Sequence, residues 1–551
     1  MNISESPPTS STIFQPSWLT WASRMALWTA LILMVFHFVV YGVYALSLLT
    51  FPFDYDQGEG FELNDTILLS QGQSPYRDNE AFPFYASNYP PLYHVILIPF
   101  AWLFGAQYWY GRLIGFTATL ITGGAIAYAV YRETRHRPVS LLAGMAFFAS
   151  NYIYHIGPLF RQHISMVMLE TLAVVVIASL DRLDTPENTR ARRRIIRLSL
   201  LLLLMAGFTK QLAIITCGAV LGWLLLRGVK RAILYSVGFG FIAGGIFLLI
   251  NLSTEGQWWI NIIAANVNGY IMSQFTGLLS QFVGLHGAIL IPSLLLVLYE
   301  LYVDRLSVYS VWFVAAAVGS ALAGKWGAGD SYFATLIAAT CVLAGIFTGR
   351  SLRRGWRVPS RLQVIGGRLG TMAAPLIGLS ALCLFCLYGL AVFKIHLDQP
   401  LMNTLAGILK LQSNTKFSQF YDGAGWTMGY ATIGQIPSPQ DTANGWQIVA
   451  LVKDDPRPIL SEEAAFSFRS GKPVITNPTQ LLNLYNNGLY DPAALVKMVE
   501  AQAFGAVIFR ARFYPPPILE AVDRAYKVQA IIPMNGYEYT ILIPNPEWNP
   551  R

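Results

Sequence analysis

The sequence MALWTALILMVFHFVVYGVYALSLLT, residues 25–50, decides the fold class because it holds no Asp, Glu, Lys or Arg. A helix crosses a bilayer with about 20 apolar residues. This run is too long for a signal-peptide core and no small-residue cleavage site follows it, so we predict an uncleaved anchor. Ten further apolar runs predict a polytopic α-helical membrane protein of about 11 spans. The predicted spans are 25–50, 111–131, 139–156, 163–180, 195–210, 211–227, 232–251, 286–303, 307–324, 331–348 and 371–393.

The composition of the 551-residue chain excludes several classes. Residues of the AVILMFWYC set make up 54%, charged residues make up 12%, and the mean hydropathy is +0.45. Soluble domains have about 25% charged residues, and disordered chains have low hydrophobicity. The four cysteines all lie in apolar runs, which argues against a disulfide scaffold. The chain is therefore neither a single soluble globule nor disordered.

The distribution of basic residues predicts the orientation. The run Leu92–Gly105 has 14 residues and contains Pro99, so we interpret it as an interfacial helix. With the N-terminus inside, the inner segments hold 20 Lys and Arg and the outer segments hold five. The positive-inside rule favours this arrangement. The net charge of +8 thus reflects topology and does not indicate nucleic acid. The five outer basic residues are Arg77, Arg112, Arg161, Lys210 and Lys325.

Three regions follow from these patterns. Residues 1–24 are predicted to be a cytoplasmic tail, and residues 25–393 a membrane body with 51–110 as its first outer loop. Residues 394–551 alternate strand-like and helix-like runs, which predicts a small extracytoplasmic α/β domain. Its strand-like runs are Ala506–Phe509 and Tyr537–Ile543, and its helix-like runs are Pro492–Gln502 and Pro516–Arg524.

The first outer loop begins with FDYDQGEGFE, residues 53–62, which places four carboxylates directly after the first span. Such a cluster can act as a general base, bind a metal ion, or be only a solvated loop. Four of the five outer basic residues lie at span ends, where long side chains can reach the interface or bind an anionic lipid head group. These two features together favour a site on the outer face.

The order of these motifs resembles the GT-C glycosyltransferases, nearest the protein O-mannosyltransferase and aminoarabinose transferase group. The similarity covers residues 25–350 in organisation. The C-terminal part resembles a soluble domain of some bacterial members. The motifs that carry the resemblance are the acidic cluster, Gly72-x-x-x-Tyr76, Pro90-Pro91-Leu92, Phe104-Gly105, Gly111-Arg112, Thr209-Lys210-Gln211, and, in the C-terminal part, Pro458–Glu463 and Gly471–Val474.

The chain departs from the family pattern at three places. The family's Asp-Glu in the first loop becomes Gly58-Glu59, so Asp56 or Asp54 is the candidate replacement for the missing carboxylate. The family's lysine before Pro-Pro-Leu becomes Tyr89. The family's Arg-x-Asp after the third span becomes Arg161-Gln162-His163. His163 is then either a polar contact or proton acceptor, or simply a satisfied histidine at a helix end.

The resemblance implies transfer of a sugar from a polyprenyl-phosphate donor to a hydroxyl of a glycan, lipid or protein acceptor. A positioned carboxylate takes the hydroxyl proton, and cations stabilise the leaving phosphate. The implied product has an inverted anomeric carbon. Candidate bases are Asp56, Glu59 and Asp54. Candidate phosphate ligands are Lys210, Arg161, Arg112 and Lys325. Weaker substrate contacts are His163, Gln211, Asn266, Asn268 and Tyr332, the two asparagines lying in the outer segment 252–285.

Membrane lipids are the predicted surroundings and the plasma (inner) membrane the predicted location. No organic cofactor motif is present in the sequence, and a divalent metal stays open as a cofactor. A flippase or transporter for the same lipid also explains the outer cations, but it leaves the acidic loop without a role. A non-catalytic scaffold needs neither feature.

Overall fold

The computed structural model describes residues 17–182, 189–353, 355–356, 369–392 and 436–549. A helical body is followed by a small domain built on a four-stranded sheet. The helices of the body are α1 (Ser17–Thr50), α2 (Glu59–Ser70), α3 (Leu92–Phe104), α4 (Trp109–Thr134), α5 (Arg137–Ala149), α6 (Asn151–Ile156), α7 (Gln162–Ile177), α8 (Thr189–Thr209), α9 (Ile214–Arg227), α10 (Val229–Ser253), α11 (Gln257–Ile262), α12 (Met272–Tyr302), α13 (Val308–Gly319), α14 (Ala334–Leu352) and α15 (Leu369–Ala391).

Seven helical segments of the described chain are long and apolar enough to cross a membrane. They are Ser17–Thr50, Trp109–Thr134, Gln162–Asp181, Val229–Ser253, Met272–Tyr302, Asp330–Leu352 and Ala373–Ala391. Three more predicted spans coincide with shorter apolar helices, and Leu92–Phe104 is also short, as expected of an interfacial helix. The predicted polytopic helical fold is confirmed, while the count of 11 spans stays a prediction.

The core of the body lies around α14, because 94% of the residues in the apolar stretch of this segment are buried. This helix packs against α4, α5, α12 and α15. In α10, by contrast, none of the residues in the apolar stretch is buried, and large side chains such as Phe241 face outward. A helix that exposes apolar side chains on all sides is stable only against lipid. Helix α10 therefore marks the periphery of the bundle.

Helix α12 is longer than the span predicted in it. The sequence predicts a span over 286–303, and α12 begins at Met272 and continues to Tyr302. Residues 272–285 contain Ser, Gln and Thr side chains that lower the local hydropathy without interrupting a helix. The outer segment predicted over 252–285 stays a prediction, and it contains α11, the 3-10 turn Ala264–Asn266 and the first turns of α12.

The C-terminal domain has strand order β1-β2-β4-β3. Strands β1 and β2 are parallel, and β4 pairs antiparallel with both β2 and β3. The predicted strands and helices of this domain are confirmed, whereas the boundary at residue 394 lies outside the described residues. The elements are α16 (Pro439–Val452), β1 (Ile459–Ser461), α17 (Ala464–Arg469), α18 (Pro478–Asn486), α19 (Ala493–Glu500), β2 (Ala506–Phe509), α20 (Pro516–Ala525), β3 (Tyr526–Met534) and β4 (Tyr537–Pro544).

The C-terminal domain sits on the first loop of the body. The β3–β4 hairpin turns at Asn535-Gly536, both with positive φ, as the two-residue hairpin turn requires. The Asn535 side chain donates from Nδ2 to the Asp54 carbonyl at 3.1 Å. Arg469 donates from Nε to the Pro52 carbonyl at 3.0 Å. The domain thus covers the acidic stretch at the end of α1.

The predicted inner loops also meet. The Asp181 carboxylate contacts Arg227 at 3.1 Å and Arg305 at 2.8 Å, which joins three segments that the charge pattern assigns to one face. The loops assigned to the opposite face converge on a common cavity.

Candidate active site

A cavity of about 660 Å³ lies between the body and the C-terminal domain. Its walls come from the first loop, the α8–α9 junction, the 262–268 segment, the turn after α13, and the C-terminal domain. Residues on its lining include Asp56, Gln57, Gly58, Glu62, Asn88, Tyr89, Arg161, Lys210, Gln211, Asn266, Asn268, Lys325, Tyr332, Asn477, Thr479, Asn483 and Phe513. Segments far apart in the sequence thus contribute to one polar site.

Asp56 and Arg161 form an ion pair on the cavity wall. Arg161 Nε lies 2.9 Å from Asp56 Oδ2, and its side chain keeps 28% of its surface exposed. Arg161 Nη1 also lies 3.7 Å from Glu62 Oε1. A Cβ atom at Gly58 would overlap the Arg161 guanidinium. Glycine at this position therefore leaves space for the arginine in the orientation that the structure shows.

Lys210 occupies the break between α8 and the 3-10 turn Gln211–Ala213, where the backbone is extended. Its ammonium nitrogen lies 2.8 Å from Nδ1 of His163 and 4.9 Å from the centre of the Tyr89 ring. The Tyr332 ring is 5.7 Å away. His163 accepts from the lysine, so the structure places it beside a candidate phosphate ligand. A smaller cavity of about 140 Å³, also lined by Asp56 and Arg161, adjoins this group.

Lys325 is the third cation of the cavity. Its Nζ donates to the Asn266 carbonyl at 2.8 Å, and its backbone forms an isolated β-bridge with Tyr270. The turn that follows passes through Gly327, with φ of +77°. The Gln274 amide donates to three carbonyls of this turn, which fixes its path.

Glu59 and Arg112 are placed differently from the prediction. Both are fully buried, and neither is part of the cavity lining. Arg112 donates to Glu59 through Nε at 2.9 Å and Nη2 at 2.8 Å. It also donates to the carbonyls of Leu48, Phe51 and Phe53. This bidentate pair closes the end of α1 against the start of α4.

Asp54 is also held inside the protein. Its Oδ1 accepts from the Gly60 amide at 2.6 Å, and its Oδ2 accepts from the Tyr108 hydroxyl at 2.9 Å and the Ala465 amide at 3.0 Å. The last bond joins the first loop to the C-terminal domain. The carboxylate is fully buried and does not line the cavity.

The electrostatic surroundings separate these two buried carboxyl groups. Burial and the nearby charge of Glu59 together raise the pKa of Asp54 to about 7, although the hydrogen bonds from Ala465, Tyr108 and Gly60 act in the opposite direction. Burial alone also raises the pKa of Glu59, but the charge and hydrogen bonds of Arg112 outweigh it, so its net pKa falls below the ordinary value. Glu59 is therefore a permanently ionised partner of Arg112 at neutral pH.

Amide side chains line the cavity beside Lys325 and on the C-terminal domain. The Asn268 amide donates to the Trp326 carbonyl and to Asn483 Oδ1, and it thereby joins the body to the C-terminal domain. The Asn266 amide donates to the carbonyls of Asn261 and Ile262. Asn477, Thr479, Asn483 and Phe513 were not predicted, because they lie outside the motifs of the C-terminal domain. Their contribution follows from how that domain docks.

An apolar groove of about 940 Å³ runs between α9, α12 and α13. Ile214 and Leu322 line both the groove and the polar cavity, so the two adjoin at these residues. Ile214 and Val318 each leave 72% of their surface exposed, as expected of a groove open to the lipid phase. A molecule with a charged head and a long apolar tail fits this combination.

The helical body with its appended sheet domain is similar in fold to two solved membrane proteins, as the resemblance in the sequence predicts. ArnT from Cupriavidus metallidurans, in the apo state and bound to undecaprenyl phosphate, superposes with a TM-score of 0.54 over 93% of this chain. The alignment covers 97% of the apo chain and 99% of the bound chain, with 13% identity.

A second similar structure is the oligosaccharyltransferase AglB from Archaeoglobus fulgidus, in complex with an inhibitory peptide and a dolichol-phosphate. Its TM-score is 0.50 at 13% identity, and the match covers 97% of this chain and 75% of AglB. No protein-family model and no curated protein matches the sequence. At 13% sequence identity, the similarity to these structures establishes the fold alone.

Proposed function

We propose that this protein is a membrane glycosyltransferase that moves a sugar from a polyprenyl-phosphate donor to an acceptor hydroxyl. The observation that carries the proposal is that the cavity, with three cations and Asp56 on its lining, adjoins an apolar groove. ArnT bound to undecaprenyl phosphate and AglB in complex with a dolichol-phosphate support a donor of this type. The phosphate binds among the cations and the polyprenyl chain follows the groove.

Asp56 is the proposed base. Asp56 and Glu62 both line the cavity beside Arg161, and Asp56 is the nearer of the two, at 2.9 Å against 3.7 Å. The acceptor oxygen forms a bond to the anomeric carbon while its proton passes to Asp56. The bond between that carbon and the phosphate oxygen breaks, and the phosphate keeps the electron pair. Direct displacement of this kind inverts the anomeric carbon.

Lys210, Arg161 and Lys325 are the proposed phosphate ligands. Cations in a site shielded from water stabilise the charge that develops on a leaving phosphate. We do not assign this role to Arg112, because its guanidinium is already bound by Glu59 and three carbonyls. For the same reason we do not assign Glu59 the role of base.

The acceptor is a hydroxyl compound, and a glycan, a lipid and a protein are all candidates. The amides of Asn268, Asn477 and Asn483 and the Thr479 hydroxyl provide neutral hydrogen-bonding groups suited to a polyhydroxyl compound. His163, Gln211 and Tyr332 stand nearer the cations and are proposed to contact the donor.

The cavity is proposed to open on the outer face of the plasma (inner) membrane. The basic loops at the opposite end support this orientation through the positive-inside rule. A reporter fused after residue 551 tests it, since the C-terminal domain lines the cavity. An outside signal is expected. A cytoplasmic signal would contradict the orientation and with it the source of the donor.

A parallel donor screen tests the reaction. The full chain in nanodiscs is given polyprenyl-phosphate sugars or nucleotide sugars, and release of lipid phosphate or nucleotide is measured with a panel of acceptors. Release from a lipid donor, absent in Asp56→Asn purified in the same way, is the expected result. Binding of the lipid without release would instead indicate a flippase or carrier. Turnover of nucleotide sugars alone would contradict the proposed donor.

A further inference from the structure

A second ionisable cluster lies where α2 packs against α3. Glu62 and Asp65 come from α2, and His94 comes from the first turn of α3. His94 Nε2 lies 3.3 Å from Glu62 Oε2 and 3.6 Å from Asp65 Oδ2. The three side chains are between 0% and 3% exposed. Two carboxylates and an imidazole thus converge in a dry contact between two helices.

The Gln162 amide lies 3.0 and 3.1 Å from the two Glu62 oxygens, which as carboxylate oxygens keep further lone pairs. The outer contacts of Asp65 and His94 leave their converging atoms available. The Tyr85 hydroxyl donates to Asp65 Oδ1 at 2.6 Å, so Oδ2 is the oxygen that faces the histidine. On the other side of the imidazole, Nδ1 lies 3.5 Å from the Thr66 hydroxyl. His94 Nε2 has no hydrogen-bond partner among the described residues. A buried polar nitrogen without a partner is costly, which calls for a ligand at this point.

We propose that Glu62, Asp65 and His94 bind one divalent cation of the Zn²⁺ type. Zn²⁺ takes nitrogen at about 2.0–2.1 Å and carboxylate oxygen at about 2.0–2.2 Å, and tetrahedral ligands at these distances lie about 3.3–3.6 Å apart. The 3.3 and 3.6 Å separations match this spacing. The mixed nitrogen and oxygen set suits Zn²⁺ or a similar transition metal better than Mg²⁺ or Ca²⁺.

The negative charge of the two carboxylates favours a cation. The nearest guanidinium to this cluster is that of Arg161, 3.7 Å from Glu62 Oε1, and its Nε atom is engaged with Asp56. Two buried carboxylates without full compensation are expensive, and a divalent ion neutralises both. The rival arrangement is a proton shared between a carboxyl group and the imidazole, and the measurement below distinguishes the two.

The bound ion would have a structural role. Helix α2 begins at Glu59, three residues after Asp56, and a metal bridge between Glu62 and His94 fixes that helix against α3. The first loop would thereby keep Asp56 on the cavity wall. The inference does not depend on the proposed transferase reaction, because metal binding is measured without a sugar donor.

The test uses the full chain in nanodiscs, stripped with a chelator and then titrated with Zn²⁺ or Mn²⁺. Metal content after desalting is measured by inductively coupled plasma mass spectrometry. About one Zn²⁺ per chain is expected, with affinity weakened about tenfold or more by His94→Ala or Asp65→Asn, as loss of a ligand requires. The matched control is Asp78→Asn, an exposed carboxylate in the same loop, which should bind like the wild type.

A second readout protects the test against a variant that fails to fold. Co²⁺ added to the stripped wild-type protein should give intense ligand-field absorption typical of four-coordinate Co²⁺ with a histidine ligand, and Zn²⁺ should displace it. Metal uptake equal in His94→Ala and wild type would overturn the proposal. A Co²⁺ spectrum like that of the ion in water would also overturn it and would favour the shared proton.

Discussion

The stretch 53–62 contains two kinds of carboxylate, and their contacts separate them. Glu59 is buried in a bidentate pair with Arg112, whereas Asp56 faces a cavity and pairs with Arg161, which keeps 28% of its side chain exposed. The first pair leaves no room for a substrate, and the second lies where a substrate can enter. Acidic residues three positions apart can therefore have structural and chemical roles, and only their partners reveal which is which.

The largest effect is expected for Asp56→Asn. If Asp56 is the general base, its loss lowers the transfer rate by about 10²–10⁴-fold. Donor binding and membrane insertion should stay close to the wild type, because the cavity keeps its cations. Single-turnover release of lipid phosphate measures the rate, and Asp78→Asn is the control for a charge change in the same loop. A rate within a few-fold of wild type would remove Asp56 from the reaction.

Arg112→Ala tests whether the buried pair of Arg112 and Glu59 stabilises the fold. Removing one partner of a buried ion pair costs about 3–5 kcal/mol, because the other charge is left uncompensated. A clearly lower temperature of thermal unfolding is expected in detergent, followed by tryptophan fluorescence. Arg77→Ala, at a half-buried arginine whose side chain bonds to nearby Ser74 and Gln73, serves as the control. Unchanged unfolding together with lost donor binding would return Arg112 to the phosphate site.

Lys210→Ala should weaken donor binding with little effect on folding. A hydrogen bond to a charged group contributes about 1.5–3 kcal/mol, so affinity for the polyprenyl-phosphate donor should fall about 10- to 100-fold. Titration of the protein with the lipid phosphate measures this. Lys230→Ala, at an exposed lysine of α10, is the matched control. Equal affinity in both variants would mean that Lys210 only extends toward the interface.

Much of the fold follows from the sequence, because apolar runs and loop charge are local signals. The short helix at Leu92 and two of the four strands of the C-terminal domain, β2 and β4, follow from the sequence in this way. The start of α12 does not, because residues 272–285 are polar enough to resemble a loop while keeping helical geometry. Hydropathy indicates which residues are compatible with lipid, whereas a helix can continue beyond the lipid, so hydropathy alone does not predict where a helix begins.

The site was predictable only in part. Lys210 and Arg161 are candidates because the predicted outer face has few other basic residues. Asp56 is a candidate because it belongs to the acidic cluster after the first span. The pairing of Glu59 with Arg112, 53 positions away, depends on tertiary packing and leaves no trace in spacing. The same holds for His94, which meets Glu62 and Asp65 only because α2 packs against α3.

The smallest expected effect concerns Asp54 and the pH dependence of stability. Burial raises its pKa to about 7 in the folded protein, above the ordinary value of 3.8, so the folded state holds this proton more tightly than the unfolded chain. The associated stability is fully present below pH 3.8 and is lost as the pH rises through 7. The unfolding temperature should therefore fall between pH 5 and 8 in the wild type, and fall less in Asp54→Asn.

Asp78→Asn is the control for this series and should follow the wild type, because its carboxyl group is exposed. Equal slopes in wild type and Asp54→Asn would mean that Asp54 is ionised throughout, held by the Gly60 and Ala465 amides and the Tyr108 hydroxyl. In that case Asp54 would resemble Glu59 more closely, as a second charged group locked into the structure. A smaller slope in the variant would set the neutral Asp54 apart from both the paired Glu59 and the cavity-facing Asp56.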